Sequence, residues 1–203
     1  MTNKEKQTEE KIAEAAREVF IEKGMHGARM QEIADKAGIN KSLLHYYFRS
    51  KEKLFDYIFS KIIGRIGNMF TEVMTEGVTI ENKLKMFVST YIDTLLKNPF
   101  LPNFIFNEIT RNPEGILKRF KSANINPKEL FIPLEKQLRA EGYKVDTRDF
   151  VLNLISMVVF PIAAKPIANS LLFDGDSKAY KNYIITRKES IVTFVMGALE
   201  AYK

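Results

Sequence analysis

Apolar residues recur every three to four positions along nearly the whole chain, and this spacing constrains the fold more than any other feature. Ile12, Ala16, Val19 and Phe20 form one such stripe, and Gly24 follows them as a helix stop. No run of alternating β-branched residues indicates a strand, and the sequence has no internal repeat or low-complexity tract. The spacing therefore predicts an all-α protein of about nine helices.

Glycine, proline and capping residues divide this pattern into segments. A short helix through Met30 and Ala37 is stopped by Gly38, and Asn40 is the expected N-cap of another short helix that reaches Tyr47. Ser50 caps a long helix that extends to about Gly77, and we place a domain boundary at its start, which gives domains 1–50 and 51–203. The later helices are predicted at 80–97, 99–111, 114–122, 127–142, 147–173 and 178–202.

Charge and composition narrow the functional classes. The net charge is +6, and residues 36–53 hold five basic groups against one acid, Glu52. This cluster is either a patch that binds a polyanion or a solvated lysine face. The chain has no cysteine, which excludes disulfides and thiolate metal sites. The N-terminus has no apolar signal region and the apolar stretch 154–164 is about half a membrane span, so we expect a cytoplasmic protein with no cofactor, metal or membrane partner.

Residues 29–47 have the pattern of a helix-turn-helix. This motif needs two short helices, a tight turn between them, and a second helix that packs on one face and presents polar groups on the other. Gly38 can supply the positive φ of the turn, and Ile39 can fill the space between the helices. Leu43 is ambiguous, since an exposed leucine there can touch a thymine methyl. We predict outward side chains at Lys41, Ser42, His45 and Tyr46, and inward ones at Leu44, Tyr47 and Phe48.

This region resembles the DNA-binding domain of the TetR family of transcriptional regulators. The resemblance lies in the run 33–48, in Ser50-Lys51-Glu52-Lys53-Leu54 and in the upstream stripe that ends in Phe20, Lys23 and Gly24. It covers about residues 8–58, where the spacings between these positions agree with the family pattern. The rest of the chain resembles the family only in length and helical character.

The resemblance implies that residues 40–46 form the recognition helix and that Tyr47 and Lys51 contact phosphates. Two positions depart from the family pattern. Ala28 stands where a threonine is frequent, and Arg29 is its electrostatic substitute; His45 stands where a tyrosine is common, and its alternative role is that of a neutral hydrogen-bonding side chain. His26 is assigned to plain surface. The predicted DNA-contacting residues are Arg29, Asn40, Lys41, Ser42, Leu43, His45, Tyr46, Tyr47 and Lys51.

Aromatic residues are spread over the second half of the chain. They form either a packed core or, as the resemblance implies, the lining of a ligand cavity. For Glu108 and Arg111, the alternative to ligand binding is a surface ion pair between the two side chains. Pro161 and Pro166 are predicted to bend the helix 147–173 and to leave free carbonyls, near Met157 and Ile162, that face the cavity. The predicted ligand-binding residues are Tyr91, Phe104, Asn107, Glu108, Phe131, Asn153, Met157, Phe160 and Lys165.

The end of the chain carries the prediction of a homodimer. Segment 150–173 is apolar on more than one face, and the terminal helix adds an apolar stripe in which Gly197 allows close approach. The alternative is a buried core within one chain. A two-fold dimer would set two recognition helices about one DNA turn apart, so that the operator is palindromic. The predicted interface residues are Ile191, Phe194, Val195, Ala198, Leu199 and Tyr202.

These features predict a transcriptional regulator, a repressor released from double-stranded operator DNA when a small, largely apolar effector binds the C-terminal domain. The alternative is a helical small-molecule-binding protein or enzyme without a DNA role. We expect no enzymatic activity, because both histidines lie in the first 45 residues and no His/Asp/Glu cluster has metal spacing. A bundle that binds only other proteins is a third class, and the basic cluster with the recognition-helix pattern argues against it.

Overall fold

The structure, a computed structural model, describes residues 3–73, 77–122, 126, 129 and 131–203. These residues form eleven α-helices and no strand, which confirms the all-α prediction. The first part of the helix predicted at 127–142 and the last part of the helix predicted to end near Gly77 lie outside the described residues. The helices are α1 (Asn3–Gly27), α2 (Met30–Ala37), α3 (Lys41–Tyr47), α4 (Lys51–Val73), α5 (Ile80–Lys97), α6 (Leu101–Arg111), α7 (Pro113–Ser122), α8 (Ile132–Ala140), α9 (Thr147–Ala163), α10 (Lys165–Phe173) and α11 (Ser177–Glu200).

The described residues pack as two compact units. The first unit takes its residues from 1–66 and 103–125, and the second from 67–102 and 126–203. The functional boundary predicted between residues 50 and 51 stays a prediction, since these units divide the chain by packing alone.

Aromatic rings form the core of the first unit. Phe20 of α1 meets Phe55 of α4 edge-on, with ring centroids 5.1 Å apart. Phe104 of α6 lies 5.7 Å from the Phe55 ring and 5.8 Å from the Phe59 ring. All four rings are buried, and burial of each such side chain stabilises the fold by roughly 2 kcal/mol. Phe104, predicted as a ligand-binding residue, is therefore a core residue of the first unit.

In the second unit α5 packs against α11 and α9, around the fully buried Ile92, Leu95 and Ile191. Short polar side chains start its helices, because they satisfy amides that have no partner in the first turn. The Asp176 carboxylate accepts from the amides of Lys178 and Ala179 at 2.8 and 3.0 Å at the start of α11. Asp146 caps α9 in the same way, and the adjacent Arg148 guanidinium lowers the pKa of Asp146 to about 2.

The helix predicted at 147–173 is two helices, α9 and α10, bent by 78° at a break at Ala164. The predicted bend is confirmed. Pro161 has no amide to donate to the Met157 carbonyl, and Arg187 Nη2 of α11 donates to that oxygen instead, at 3.0 Å. The Tyr180 hydroxyl donates to the Pro161 carbonyl. The prediction that the carbonyl freed near Met157 faces a cavity is therefore wrong, because a side chain of α11 occupies it.

In the part of the chain that the structure describes, no individual helix combines the length and the apolarity needed to cross a membrane. Only α9 and α10 taken together, as a bent pair, meet both criteria.

Candidate DNA-binding site

The turn between α2 and α3 depends on a left-handed glycine. Gly38 has φ 62° and ψ 40°, a conformation that costs other residues steric strain. Its amide donates to the Asp35 carbonyl, and the Ile39 amide donates to the Ala34 carbonyl, both at 3.0 Å. These bonds end α2 in a tight turn, as the sequence predicted at Gly38.

A polar cap and two buried residues fix the orientation of α3. The Asn40 side-chain oxygen accepts from the Leu43 amide at 2.8 Å and so starts the helix. Leu44 is fully buried, and Phe48 packs against the ring of Tyr57, with centroids 5.2 Å apart. Since Leu44 fixes the inward side of a seven-residue helix, the opposite side must face solvent.

The exposed side of α3 carries every residue that the sequence predicted to face outward. Leu43 is 36% exposed, which resolves its ambiguous assignment, and Tyr46 is 74% exposed. The Tyr47 ring is half-buried and meets the Tyr46 ring edge-on, with centroids 5.4 Å apart. The exposed side chains are those of Lys41, Ser42, Leu43, His45 and Tyr46.

Ion pairs hold α2 against α1. Lys36 Nζ lies 2.6 Å from a Glu18 carboxylate oxygen, and Lys23 pairs with Glu32. The hydrogen bond from Lys23 lowers the pKa of Glu32. Lys36 of the basic cluster is therefore already neutralised by an acid. The exposed cations of the cluster without an ion pair in the described chain are Lys41, Arg49 and Lys53.

Lys51 at the start of α4 is engaged within the protein. Its Nζ donates to the Ala28 carbonyl at 3.1 Å and to the His26 carbonyl at 3.5 Å. It thus ties α4 to the connection between α1 and α2, a role that the sequence did not predict. Arg29 is exposed and is the N-cap of α2, where its side chain makes no capping hydrogen bond.

Two short helices on a glycine turn, a buried inner face and an exposed polar face on the second helix define a helix-turn-helix DNA-binding protein. The family model described as bacterial regulatory proteins, tetR family, matches residues 12–58. Residues 12–58 of the chain therefore form a DNA-binding domain of the TetR type.

Similar proteins extend the match beyond the helix-turn-helix. The transcriptional activator FasR of Mycolicibacterium smegmatis is 30% identical over 79 residues, which are 39% of this chain and 36% of FasR. The probable regulator YttP of Bacillus subtilis is 23% identical over 178 residues, 85% of this chain and 86% of YttP. Among solved structures, the transcriptional regulator FadR of Bacillus subtilis in complex with stearoyl-CoA has a TM-score of 0.66 at 18% identity, over 91% of this chain and 96% of FadR. The chain thus spans about a third of FasR but most of the other two proteins.

The structure does not bring the predicted ligand-binding residues together. Phe104, Asn107 and Glu108 lie in the first compact unit, where Asn107 is exposed and Glu108 is buried. Glu108 makes no ion pair with Arg111 among the described contacts, so the predicted alternative for this pair is not observed either. Tyr91 of the second unit is buried against Phe87, and this burial raises the pKa of Tyr91 to about 12.

Four more of these residues lie on an outer face of the second unit. Asn153, Phe160 and Lys165 are exposed, and Met157 is half-buried. Asn153 and Met157 line a surface groove of about 340 Å³ together with Phe194 and Ala198 of α11 and with Tyr202, which follows α11. Asn153 and Lys165 interrupt the apolar segment of the sequence, and both are exposed because α9 and α10 turn these positions outward.

The predicted dimer-interface residues divide into a buried group and an exposed group. Ile191, Val195 and Leu199 are at most 5% exposed within the single chain, so the chain's own core takes them up. Phe194, Ala198 and Tyr202 are exposed. The three buried residues are therefore not available to a second copy of the chain. Phe194, Ala198 and Tyr202 remain as the predicted interface residues.

Among the predicted ligand-binding residues, Phe131 lines an apolar cavity. This cavity, of about 30 Å³, lies in the second unit among α4, α5, α8 and α9, and its lining is apolar except for Lys83. Sequence reasoning missed Lys83, although its position between Ile80 and Phe87 on the apolar stripe of α5 was the signal. Among the described residues, no three His, Asp or Glu side chains come together as metal ligands.

Proposed function

We propose that this DNA-binding regulator acts as a homodimeric, ligand-controlled repressor in the cytoplasm. The observation that carries the proposal is the exposed side of α3, which a buried Leu44 and the Gly38 turn hold in position for the major groove. Arg49 and Lys53 supply positive charge around this side for phosphate contacts, which position a protein on DNA, and Lys41 of α3 itself reaches a phosphate or a base edge. Arg29, Tyr47 and Lys51 are the proposed further phosphate contacts.

Two further observations support dimerisation. Leu152 and Phe160 of α9 and Phe194 of α11 are each more than 60% exposed, and large exposed apolar side chains are a feature of interaction surfaces. The groove of about 340 Å³ joins the faces of α9 and α11 into one continuous surface. A two-fold contact there gives the protein two recognition helices, so we propose a palindromic operator.

Control by a small ligand is supported by the second helical unit, in which an apolar cavity is present. FadR, which shares the fold, was crystallised with stearoyl-CoA. A ligand changes DNA affinity only when it binds the two states of the protein unequally. We propose that a small, largely apolar effector bound in the second unit lowers the operator affinity.

The test is a fluorescence-anisotropy titration of the purified full-length protein with labelled double-stranded DNA flanking its own gene, at several salt concentrations. We expect tight binding that weakens steeply with salt, because phosphate contacts release counterions. Tyr46→Ala and Lys41→Ala should lower the preference for this DNA over unrelated DNA by about tenfold or more. Lys178→Ala, an exposed lysine of α11, is the matched control and should change nothing. Equal binding of both DNAs by the wild type and all variants would overturn the proposal.

A further inference from the structure

Lys83 is a buried ammonium with little to neutralise it. The residue is 6% exposed, although lysine is rarely buried without a charged partner. Its Nζ donates to the Gln137 side-chain oxygen at 2.5 Å, and this neutral amide is its one hydrogen-bond partner among the described contacts. An ammonium carries three donors. The described contacts therefore leave two donors of a buried positive charge without a protein acceptor.

The carboxylate that Gln137 contacts is engaged in other hydrogen bonds. Gln137 Nε2 donates to the Glu141 Oε1 atom at 2.7 Å and to the Val78 carbonyl at 2.7 Å. The same Glu141 oxygen accepts from the Ile80 amide at the start of α5, at 3.2 Å. Glu141 thus caps α5 and orients Gln137, and it makes no ion pair with Lys83 among the described residues. Burying a charge without a close counter-ion is costly, so an incoming anion that pairs with Lys83 offsets part of this cost.

Lys83 also connects two spaces in the second unit. On one side lies the cavity of about 30 Å³, lined by the aromatic Phe87, Phe131 and Phe150 and, apart from Lys83, by aliphatic residues. On the other side lies a groove of about 640 Å³ that carries Lys136, Gln137 and Glu141. In the described chain Lys83 is the one residue that lines both. A polar group on the groove side can therefore reach Nζ while an attached apolar chain points into the cavity.

We propose that Lys83 binds the carboxylate of an amphipathic effector, a carboxylic acid on an apolar chain, whose chain enters the cavity among α5, α8 and α9. This inference rests on the proposed function, because it names the chemical class of the effector in the second unit. Lys136, exposed on the groove side, adds a second positive charge near the carboxylate. An uncharged or cationic head group leaves the buried ammonium unpaired or repels it, so the site selects an anion.

The size of the cavity adds a consequence for regulation. A volume of about 30 Å³ holds roughly one or two waters and is too small for an alkyl chain. The chain can enter only if the helices that line the cavity move apart. Binding is then coupled to a rearrangement of the second unit. The effector therefore binds the rearranged state more tightly than the original state, and this difference in affinity is what an effector needs.

The experiment measures binding without DNA. Isothermal titration calorimetry of the full-length protein compares three ten-carbon probes: decanoate, decan-1-ol and decyltrimethylammonium. We expect decanoate to bind at least tenfold more tightly than the other two, since a charged hydrogen bond contributes about 1.5–3 kcal/mol. Lys83→Met should weaken decanoate at least tenfold and leave decan-1-ol within about twofold, and Lys83→Arg should retain part of the preference. Thermal unfolding of each variant verifies its fold.

The matched control is Lys85→Met, which removes the same charge from an exposed position of α5 that pairs with Glu81. It should leave decanoate binding unchanged. Equal affinity for decanoate and decan-1-ol, or decanoate binding unchanged in a folded Lys83→Met variant, would show that Lys83 only supports the Gln137–Glu141 network and would overturn the inference. Operator binding is measured separately by anisotropy. Retained operator binding without a carboxylate preference defeats the inference alone, whereas loss of any DNA binding defeats the proposed function.

Discussion

At the residue scale, the recognition surface is set by which atoms are already engaged inside the protein. The five basic groups between residues 36 and 53 are not equivalent, because Lys36 pairs with Glu18 and Lys51 binds backbone carbonyls. Lys41, Arg49 and Lys53 are exposed. The basic side chains that form one cluster in the sequence therefore have two roles. Some stabilise the fold, and the others are free to contact a phosphate.

Lys51 is predicted to stabilise the DNA-binding region as well as to contact DNA. Lys51→Met removes two hydrogen bonds to carbonyls near the end of α1, so we expect the free energy of unfolding to fall by about 1 kcal/mol. Loss of a phosphate contact should also reduce the slope of log K against log salt by about 0.9. Urea denaturation and salt-dependent anisotropy measure the two effects. Lys53→Met, from an exposed position, is the control that should change only the slope, and unchanged stability in Lys51→Met would exclude the structural role.

Tyr91 is predicted to make the fold sensitive to alkaline pH. Burial raises the pKa of Tyr91 to about 12 from 10.0, so the folded state favours the protonated phenol. Its contribution is complete below pH 10 and is lost as the pH rises from 10 to 12, because the unfolded chain ionises first. Two pKa units correspond to about 2–3 kcal/mol.

Urea denaturation at pH 8 and pH 11.5 tests this contribution. The free energy of unfolding of the wild type should fall more between the two values than that of Tyr91→Phe, by about 1–2 kcal/mol. Tyr46→Phe, with its ring in solvent, should behave like the wild type. Equal pH sensitivity of Tyr91→Phe and the wild type would contradict the prediction.

At the element scale, local signals predicted much of the structure and tertiary packing determined the rest. The helix predicted at 80–97 is α5, because Thr79 caps it and its apolar repeat is regular. The helix-turn-helix was predictable for the same reason, since Gly38 and Asn40 act within a few residues. The inner and outer faces of the 147–173 segment were not, because both faces are apolar. Asn153 points outward because α5 and α11 pack against the other side of α9, and Lys165 points outward beside the packing of α10 on α11.

Near the break between α9 and α10, a side chain of α11 replaces a hydrogen bond that a proline removes. Pro161 leaves the Met157 carbonyl without an amide partner, and Arg187 of α11 supplies the missing donor at 3.0 Å. The guanidinium also donates to the Tyr183 hydroxyl at 3.2 Å. We infer that Arg187 stabilises the bend and holds α11 against α9.

A double-mutant cycle tests this role of Arg187. Arg187→Met should lower the free energy of unfolding by about 1–2 kcal/mol, because it leaves a carbonyl unpaired. In a Pro161→Ala background an amide becomes available for the Met157 carbonyl, so the same substitution should be less costly, with a coupling of at least about 0.5 kcal/mol. Lys181→Met, from an exposed position of α11, is the control. Additive effects of the two substitutions would show that Arg187 does not serve this carbonyl.

At the scale of the whole molecule, the second unit has a surface formed by α9, α10 and α11 that carries large exposed apolar side chains. Its exposed apolar side chains come from three successive helices. Isolated apolar residues that are exposed by chance do not explain this number. The polar Asn153 and Ser156 lie beside the apolar Phe194 in the groove of this surface, a mixture found in interfaces between protein chains. The more exposed members are Leu152, Phe160, Ile167, Leu171, Leu172 and Phe194.

We predict that this surface forms the homodimer and that operator binding depends on it. Phe194 of α11 is 67% exposed, so Phe194→Asp places a charge in the predicted interface without a loss of core packing. Light scattering should give twice the chain mass of 23.4 kDa for the wild type and one chain mass for Phe194→Asp at micromolar concentration. The variant should keep its helical circular dichroism but lose about 100-fold or more in operator affinity, since one half-site supplies fewer contacts. Leu117→Asp, a comparably exposed leucine of α7, should stay dimeric, and a monomeric wild type or a dimeric Phe194→Asp would place the contact elsewhere.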